Sequence, residues 1–536
     1  MANQLPRVAY FCMEYGLDNS FKQWAGGLGI LAGDTLKGAH DNGLPMVGVG
    51  LNWKHGYTDQ RIGRDGRPYD SFHDYDYPWL KDTGVTVTVQ VRGNDVRAKV
   101  WLCDHFGNAP LFLLDTDLAD NPESWITGQL YGGFGDQRVA QEMILGIGGV
   151  RALQALGVEV DIYHFNEGHA VLAGLELIRQ KMAAGASFED AWQATRRQVV
   201  FTTHTPVPEG NEWHPIERLL YMGANVGLTY EQLARIGGSP FNMTVAGLRL
   251  AKCANGVAQL HGETANRMWR GVEGRCEIRA ITNGVHLPTW VDPRMAGPFN
   301  SLEEMWEAHM AIKRETIDFI AERTGVRLDP ENLLIGFSRR AAPYKRSDLI
   351  FRYEERVRGL LEQGKIQIVF SGKAHPHDDT GKQIVHNLVT MAEQYPRSVV
   401  FIENYDMEIA AALTRGCDVW LNNPRRPQEA CGTSGMKAAM NGVLNASILD
   451  GWWPEAAQHG VNGWVIGDEV VPESVAEQDE RDALALYRVL LDEIVPTYYE
   501  NRQKWLEMMK ASIETTRERF SVDRMLREYW ERLYTA

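Results

Sequence analysis

Residues 419–441 read VWLNNPRRPQEACGTSGMKAAMN. The apolar run Val419–Leu421 is a short strand by pattern, the stretch that follows has the Pro, Asn, Gly, Ser and Thr content of a loop, and Met436–Met440 opens a helix. Working outward, the same alternation recurs on both sides. Val8–Phe11, Met46–Leu51, Val85–Val91, Ile162–Phe165 and Val199–Thr202 read as strands before it, as do Leu333–Phe337, Ile366–Phe370 and Val399–Ile402. Gln141–Leu156 and Ser301–Arg323 read as helices between them. Short β-rich runs alternating with helical patterns predict α/β architecture with parallel, doubly wound sheets, whose ligands bind beyond the C-terminal strand ends.

The chain has 536 residues, more than one hydrophobic core accommodates. The expected organisation is an N-terminal domain over residues 1–325, a second domain over 326–490, and C-terminal helices over 491–536 that pack back on the first. In the last of these, Ser521 is the expected N-cap before Val522, Met525, Leu526, Tyr529, Trp530 and Leu533 at helical spacing. The net charge of −15 disfavours nucleic acid and anionic membranes as main partners, while a neutral polymer feels no such repulsion. A small anion would need a local cluster of cations. The six cysteines form no CxxC pair and fit a reduced setting. No signal-peptide pattern opens the sequence and no apolar run reaches spanning length, so a cytoplasmic location is expected.

Three segments carry chemistry by their own composition. Glu429–Asn441 places a Gly/Thr/Ser loop before a helix, which offers backbone N–H groups and the positive end of a dipole to a phosphate. It does not match the Walker pattern. Lys437, just inside that helix, is a candidate amine for an aldehyde cofactor, against the bland reading of a solvated helix-start lysine. Arg339–Arg346, RRAAPYKR, holds four cations and no acid directly after a predicted strand, which suits an oxyanion. Ala25–Gly29, AGGLG, lets backbone approach a phosphate closely, although tight turns use the same residues. Polar groups at other strand ends come from HFNEGH at 164–169, TTHTPVP at 202–208 and TNGVHLPTW at 282–290. Neither the His164 and His169 spacing nor HPHDD at 375–379 makes a convincing metal set, and no metal is expected.

Taken in order, these segments resemble the α-glucan phosphorylases, the glycogen, starch and maltodextrin phosphorylase family. FSGKAHP at 370–376, ENYDME at 403–408 and MNGVLN at 440–445 are further landmarks of that likeness. GTSGMK, NNPRRPQEA and LDGWWPEA resemble the shorter bacterial and archaeal members most. The resemblance implies two Rossmann-like domains facing a cleft, the glycosyltransferase-B type. It implies pyridoxal 5′-phosphate (PLP) as cofactor, with Lys437 as its Schiff-base lysine, Gly432, Thr433 and Ser434 around its phosphate region, and Tyr405 and Trp290 packed beside it. Gly27 and Leu28 would meet the substrate phosphate by backbone, with Arg340 and Lys345 holding that anion. Glu429, Asn283, Cys431 and the loop bearing His204 would grip the glucosyl unit, with Asn166 and His169 lining the same pocket. Catalytic duty would fall to Lys437, Arg340, Lys345, His204 and Glu429.

The expected reaction is α-1,4-glucan phosphorolysis with retention, in which inorganic phosphate releases glucose 1-phosphate from glycogen or maltodextrin. A nucleotide-sugar glucan synthase on the same fold, or a non-catalytic glycan-binding relative, are the alternatives. Asp406 and Cys431 depart from the long family members, which carry Arg and Ser there. The stretches Gly29–His164 and His204–Asn283 are shorter than theirs. With little chain before Val8, no allosteric control by nucleotides or phosphorylation is expected. A homodimer is compatible with the sequence.

Overall fold

A computed structural model of the chain describes residues 4–536. The chain divides into two compact units. Unit 1 comprises residues up to Tyr57, Phe72–Asn283 and Val522–Ala536, and unit 2 comprises Thr58–Ser71 and Gly284–Ser521. The sequence reading put a boundary at 325, whereas packing starts unit 2 at Gly284. The helix Leu302–Thr324 explains the difference. Its Met305, Trp306, Met310 and Ile312 enter the same core as Leu333, Ile335 and Phe337. That helix starts where Ser301 Oγ accepts from Glu304 N at 3.1 Å, with Glu303 and Glu304 in its first turn, and ends at Gly325 in the left-handed region.

Unit 1 holds a nine-stranded sheet. In spatial order its strands are Glu277–Ala280, Cys253–Gly256, Val199–Thr202, Ile162–Asn166, Val8–Phe11, Met46–Leu51, Leu111–Asp115, Asn94–Cys103 and Lys81–Val91. The first seven run parallel. The last two are antiparallel to their neighbours and form an antiparallel margin on the expected parallel sheet. A tight Arg92–Gly93 turn, both residues at positive φ, returns the chain from Lys81–Val91 into Asn94–Cys103. The central strands are buried on both faces, which is why Val8–Phe11 and Val199–Thr202 are continuous apolar runs. The helix Val522–Tyr529 packs against Gly38 of the helix Gly27–Asp41 so closely that a Cβ there would lie 2.7 Å from Val522 Cγ1 and 2.9 Å from Leu526 Cδ1.

Unit 2 holds a six-stranded parallel sheet, in spatial order Val399–Ile402, Ile366–Ser371, Leu333–Ser338, Val419–Asn422, Leu444–Ile448 and Gly463–Ile466. Counted along the chain this is the order 3-2-1-4-5-6, the doubly wound arrangement with a reversal between strands one and four. The antiparallel hairpin Asp59–Ile62 and Pro68–Ser71 also belongs here. It docks through Gln60, whose amide donates to Ala374 O at 2.9 Å and accepts from Ala374 N at 3.0 Å. No helix among the described residues is long and apolar enough to cross a membrane.

Candidate active site

In an open α/β sheet the ligand crevice lies at the carboxyl ends of the strands where the order reverses. In unit 2 that point lies between Leu333–Ser338 and Val419–Asn422. The residue after the first strand is Arg339, and a few residues past the second comes Glu429. Arg339 Nη2 donates to Glu429 Oε1 at 2.7 Å, and its Nη1 donates to Asn422 Oδ1. Glu429 is 6% exposed, and its backbone N donates to Asp450 Oδ2 at 2.9 Å. Its second oxygen, Oε2, is buried and has no hydrogen-bond partner among the described residues. Burial alone would push the Glu429 carboxyl up, but Arg339, Lys345 and Arg340 outweigh it and hold the group below its ordinary range. Asp450 goes the other way, pushed well up by burial and by Glu429.

RRAAPYKR is not a uniform basic loop. Arg339 pairs with Glu429, and Arg346 is locked by Asp479 and Asp482 at 3.1 and 2.8 Å and by the carbonyls of Asn423 and Pro424 at 2.8 Å each. The expectation of four cations open to an anion is corrected to two, because distant acids claim the others. Arg340 is exposed and Lys345 half-buried, with the Lys345 amine 5.5 Å from the centre of the Tyr344 ring. No carboxylate pairs with either among the described residues. Burial, then Arg339, push the Lys345 amine down to about 7.

The loop after Glu429 turns on Gly432, whose φ of +80° strains any L side chain and where a Cβ would lie tightly, 3.2 Å, against Glu429 Oε1. The helix Thr433–Met440 follows. Ser434 Oγ accepts from Trp420 Nε1 at 3.2 Å, and Thr433 opens the first turn, where N–H groups lack intrahelical acceptors. Lys437 is 6% exposed and its amine lies 4.0 Å from the centre of the Trp290 ring. Asn441, which sequence reasoning missed, fixes that pair. Its Nδ2 donates to Trp290 O at 3.0 Å and to Lys437 O at 2.9 Å. Cys431 is buried and its carbonyl accepts from Trp452 N at 3.0 Å. Tyr405 is half-buried beyond the strand Val399–Ile402, with its phenol pushed up to about 12 by burial. Asp406 has a structural duty: its Oδ1 accepts from Ile409 N at 2.9 Å and caps the helix Met407–Gly416. In HPHDD, Asp378 likewise caps the helix Asp379–Gln394.

In unit 1 the order reverses between Val8–Phe11 and Ile162–Asn166, and a second cluster forms there. Glu14, unread in the sequence, organises the AGGLG loop. Its Oε2 accepts from Ala25 N at 2.6 Å and Gly26 N at 3.0 Å, and its Oε1 accepts from Tyr131 Oη at 2.8 Å. The N–H groups of Gly27 and Leu28 open the helix Gly27–Asp41 and so have no intrahelical acceptor. A Cβ at Gly26 or Gly27 would meet nothing within 4 Å, so internal crowding does not require those glycines.

Asn166 bridges the same end of the sheet, its Nδ2 donating to Tyr10 Oη at 2.5 Å and its Oδ1 facing His204 Nε2 at 2.6 Å. His204 N donates to Glu167 Oε2 at 2.7 Å. Burial and the neighbouring histidines push His204 down to about 3, so the ring is neutral at physiological pH. His169 is pushed down to about 4, first by burial, and its buried Nδ1 has no partner among the described residues. His164 is separate from it, fully buried between Tyr534 Oη and Thr202 Oγ1 at 2.7 and 2.6 Å. Asn283 N donates to Val257 O at 3.0 Å, and Asn283 Oδ1 is buried without a partner among the described residues.

The profile of the family described as Carbohydrate phosphorylase matches residues 294–460. The chain is 39% identical to the maltodextrin phosphorylase of Thermococcus litoralis, over 98% of this chain and 70% of that one. It is 38% identical to the glycogen phosphorylase of Mycobacterium tuberculosis, over 99% of this chain and 71% of the other. With the glycogen phosphorylase of Aquifex aeolicus it shares 35% identity, over 98% of this chain and 86% of that protein.

Proposed function

The chain belongs to the carbohydrate phosphorylase family, and on that premise we propose that it is an α-glucan phosphorylase that uses PLP. It releases glucose 1-phosphate from the non-reducing end of glycogen or maltodextrin with inorganic phosphate. The observation that carries the reading is Glu429: a buried carboxylate held ionised by Arg339, with Oε2 left unpartnered beside two unpaired cations. A buried oxygen of that kind needs a donor, and a sugar hydroxyl is one.

The residues present fit the cofactor. A buried amine over an aromatic face, behind a glycine turn and a helix first turn, is the donor set for an aldehyde-bearing phosphate. When bound, PLP supplies a phosphate that exchanges a proton with the substrate phosphate. Lys437 holds the cofactor, Trp290 and Tyr405 pack beside it, and Thr433 and Ser434 face its phosphate region. Arg340 and Lys345 hold the substrate anion and offset the repulsion between two phosphates. In unit 1, the Gly27 and Leu28 N–H groups are free of intrahelical acceptors and are of the kind an anion takes. Among the sugar-binding candidates, Asn283, Asn166, His169 and the carbonyl side of the His204 loop belong to unit 1, and Cys431 belongs to unit 2 with Glu429. Neutral His204 donates or accepts hydrogen bonds and adds no positive charge.

Incubation with maltodextrin and phosphate, with glucose 1-phosphate as the readout, tests the reading alongside an absorbance spectrum. Turnover with a nucleotide sugar and no PLP band would replace it with the synthase reading.

Arg340→Ala and Lys345→Ala are each expected to lower kcat/KM for phosphate roughly 30- to 1,000-fold, the equivalent of about 2–4 kcal/mol of transition-state stabilisation, with glucan binding little changed. Normal phosphate kinetics in both would place the anion site elsewhere. Lys345 also sets a pH limb. Its folded pKa is lowered to about 7, so its charge is lost as pH rises through that value, and kcat/KM for phosphate should fall there. Phosphate itself titrates nearby, so Lys345→Arg is the control. An arginine stays charged, and the alkaline fall should move up in that variant.

Glu429→Gln is expected to keep PLP and lose turnover by roughly 100-fold, since a charge-assisted hydrogen bond becomes a neutral one and Arg339 loses its counter-charge. Cofactor content and steady-state rate separate the cases: loss of PLP with the rate would make Glu429 a support of the loop.

A further inference from the structure

Unit 1 carries a third group of titratable side chains that the proposed reaction does not use. Glu142 lies on the helix Asp136–Met143 and is fully buried, while His214 in the strand Trp213–His214 is 3% exposed. Glu212 directly precedes that strand. His214 Nε2 stands 3.2 Å from Glu142 Oε2 and 3.2 Å from Glu212 Oε1. One donor atom from each of the three residues lies within 4.8 Å of the other two. Two donors 3.2 Å apart, each about 2.1 Å from a common ion, subtend roughly 100° at it, between the tetrahedral and octahedral angles.

A second observation is independent of those distances. Glu142 Oε1, the second oxygen of the buried carboxylate, has no partner among the described residues. Interiors leave few polar atoms unsatisfied, and an ion at this position can take that oxygen as a second ligand atom of the same carboxylate. A fully buried carboxylate such as Glu142 is costly unless paired or bound to metal. The nearby cations do not block the position. Arg138 Nη1, at 3.5 Å, and His169 Nε2, at 3.9 Å, both address Glu212 through Oε2, whereas Oε1 is the oxygen turned to His214.

We propose that Glu142, Glu212 and His214 bind one divalent transition-metal ion of the Zn²⁺ or Mn²⁺ class. The imidazole donor selects against Mg²⁺ and Ca²⁺, which take oxygen ligands. The ion is structural. It ties the helix Asp136–Met143 to the far end of the segment that begins at His204, and leaves the second oxygen of Glu212 to hold Arg138 and His169. This holds whether or not the catalytic reading does.

The test uses the full-length protein, stripped with a chelator and titrated with Zn²⁺ by calorimetry, and with Co²⁺ followed by visible absorption. The expected result is one ion per chain, a Tm raised by about 3 °C or more at saturation, and affinity at least about tenfold weaker in Glu142→Gln and His214→Ala. Mg²⁺ should give none of these. Should either variant fail to fold, the cobalt spectrum of the wild type, with nitrogen and oxygen ligands and no thiolate band, still reads the site. The proposal is overturned if the stripped wild type binds neither Zn²⁺ nor Co²⁺ below about 1 mM, or if the folded variants bind as the wild type does. The three side chains would then be held by a proton on His214 shared between two carboxylates.

Discussion

Lys437→Ala is expected to give a folded protein that retains no PLP and whose phosphorolysis falls to background. The argument starts from the helix Thr433–Met440, in which alanine has the highest intrinsic propensity, so the substitution does not unwind it. The lysine side chain is 6% exposed, and its amine faces Trp290 at 4.0 Å. Truncation removes that amine and leaves the Trp290 carbonyl on Asn441 and Arg415, at 3.0 and 3.1 Å, so the ring stays in place. On the proposed reading, what is lost is the buried amine that would hold the cofactor's aldehyde. Circular dichroism should be unchanged while the absorbance of the cofactor disappears after dialysis. In the wild type, borohydride reduction followed by peptide mapping should mark Lys437. A mark on another lysine, or a Lys437→Ala protein that keeps a full complement of cofactor through dialysis, would defeat the assignment.

That site was legible in part. The strands on either side of each reversal are short, largely apolar runs buried on both faces, and their residues alone identify them. Cys253–Gly256, CANG, has no such run and was not read as a strand. The hairpin 59–71, DQRIGRDGRPYDS, is polar, and its burial in unit 2 depends on Ala374, Glu403 and Asn404, more than 300 residues away. The GTSGMK loop and its lysine were readable because a glycine turn before a helix is local chemistry. The fate of RRAAPYKR was not, since Glu429 is 90 residues from Arg339, and Asp479 and Asp482 are 133 and 136 from Arg346. Sequence shows which cations are present, and only the fold shows which are already paired. Glu14 went unread for the same reason: a lone acid before a glycine loop gives no sign that its carboxylate will hold two of the loop's N–H groups.

Asp418→Asn is expected to destabilise unit 2 by about 3–5 kcal/mol, the cost of leaving a buried charge without its partner. Asp418 sits immediately before the strand Val419–Asn422 and is 1% exposed. Lys313, with no exposed surface, donates to Asp418 Oδ2 at 2.6 Å, to Asn332 O at 2.8 Å and to Tyr498 Oη at 3.1 Å. His309 Nε2 lies 2.8 Å from Asp418 Oδ1, and Leu334 N donates to Oδ2 at 2.8 Å. The carboxylate thus joins the helix Leu302–Thr324 to the two strands that flank the reversal. Asparagine keeps the shape but leaves Lys313 charged and unpaired. The Tm should fall by on the order of 10 °C.

The pH dependence has a definite sign. Burial alone would raise the Asp418 pKa, but Lys313 and then His309 outweigh it and depress it in the folded state. A depressed carboxyl contributes stability above its unfolded value near 3.9 and loses it as pH falls through the folded value. Wild type should therefore shed stability in acid that Asp418→Asn never had, and the two melting curves should converge as pH drops. Replacing both partners, with Asp418→Leu and Lys313→Met together, should recover much of the loss, because no orphaned charge remains. Thermal melts of the three proteins from about pH 3 to 8 decide it. A single variant within about 1 kcal/mol of wild type at neutral pH, or a gap that widens in acid, would show that this carboxylate does not hold the strand. In the proposed enzyme the same strand leads to Glu429 and the Lys437 helix, so the destabilised variant should also release PLP faster than wild type at a temperature where both remain folded.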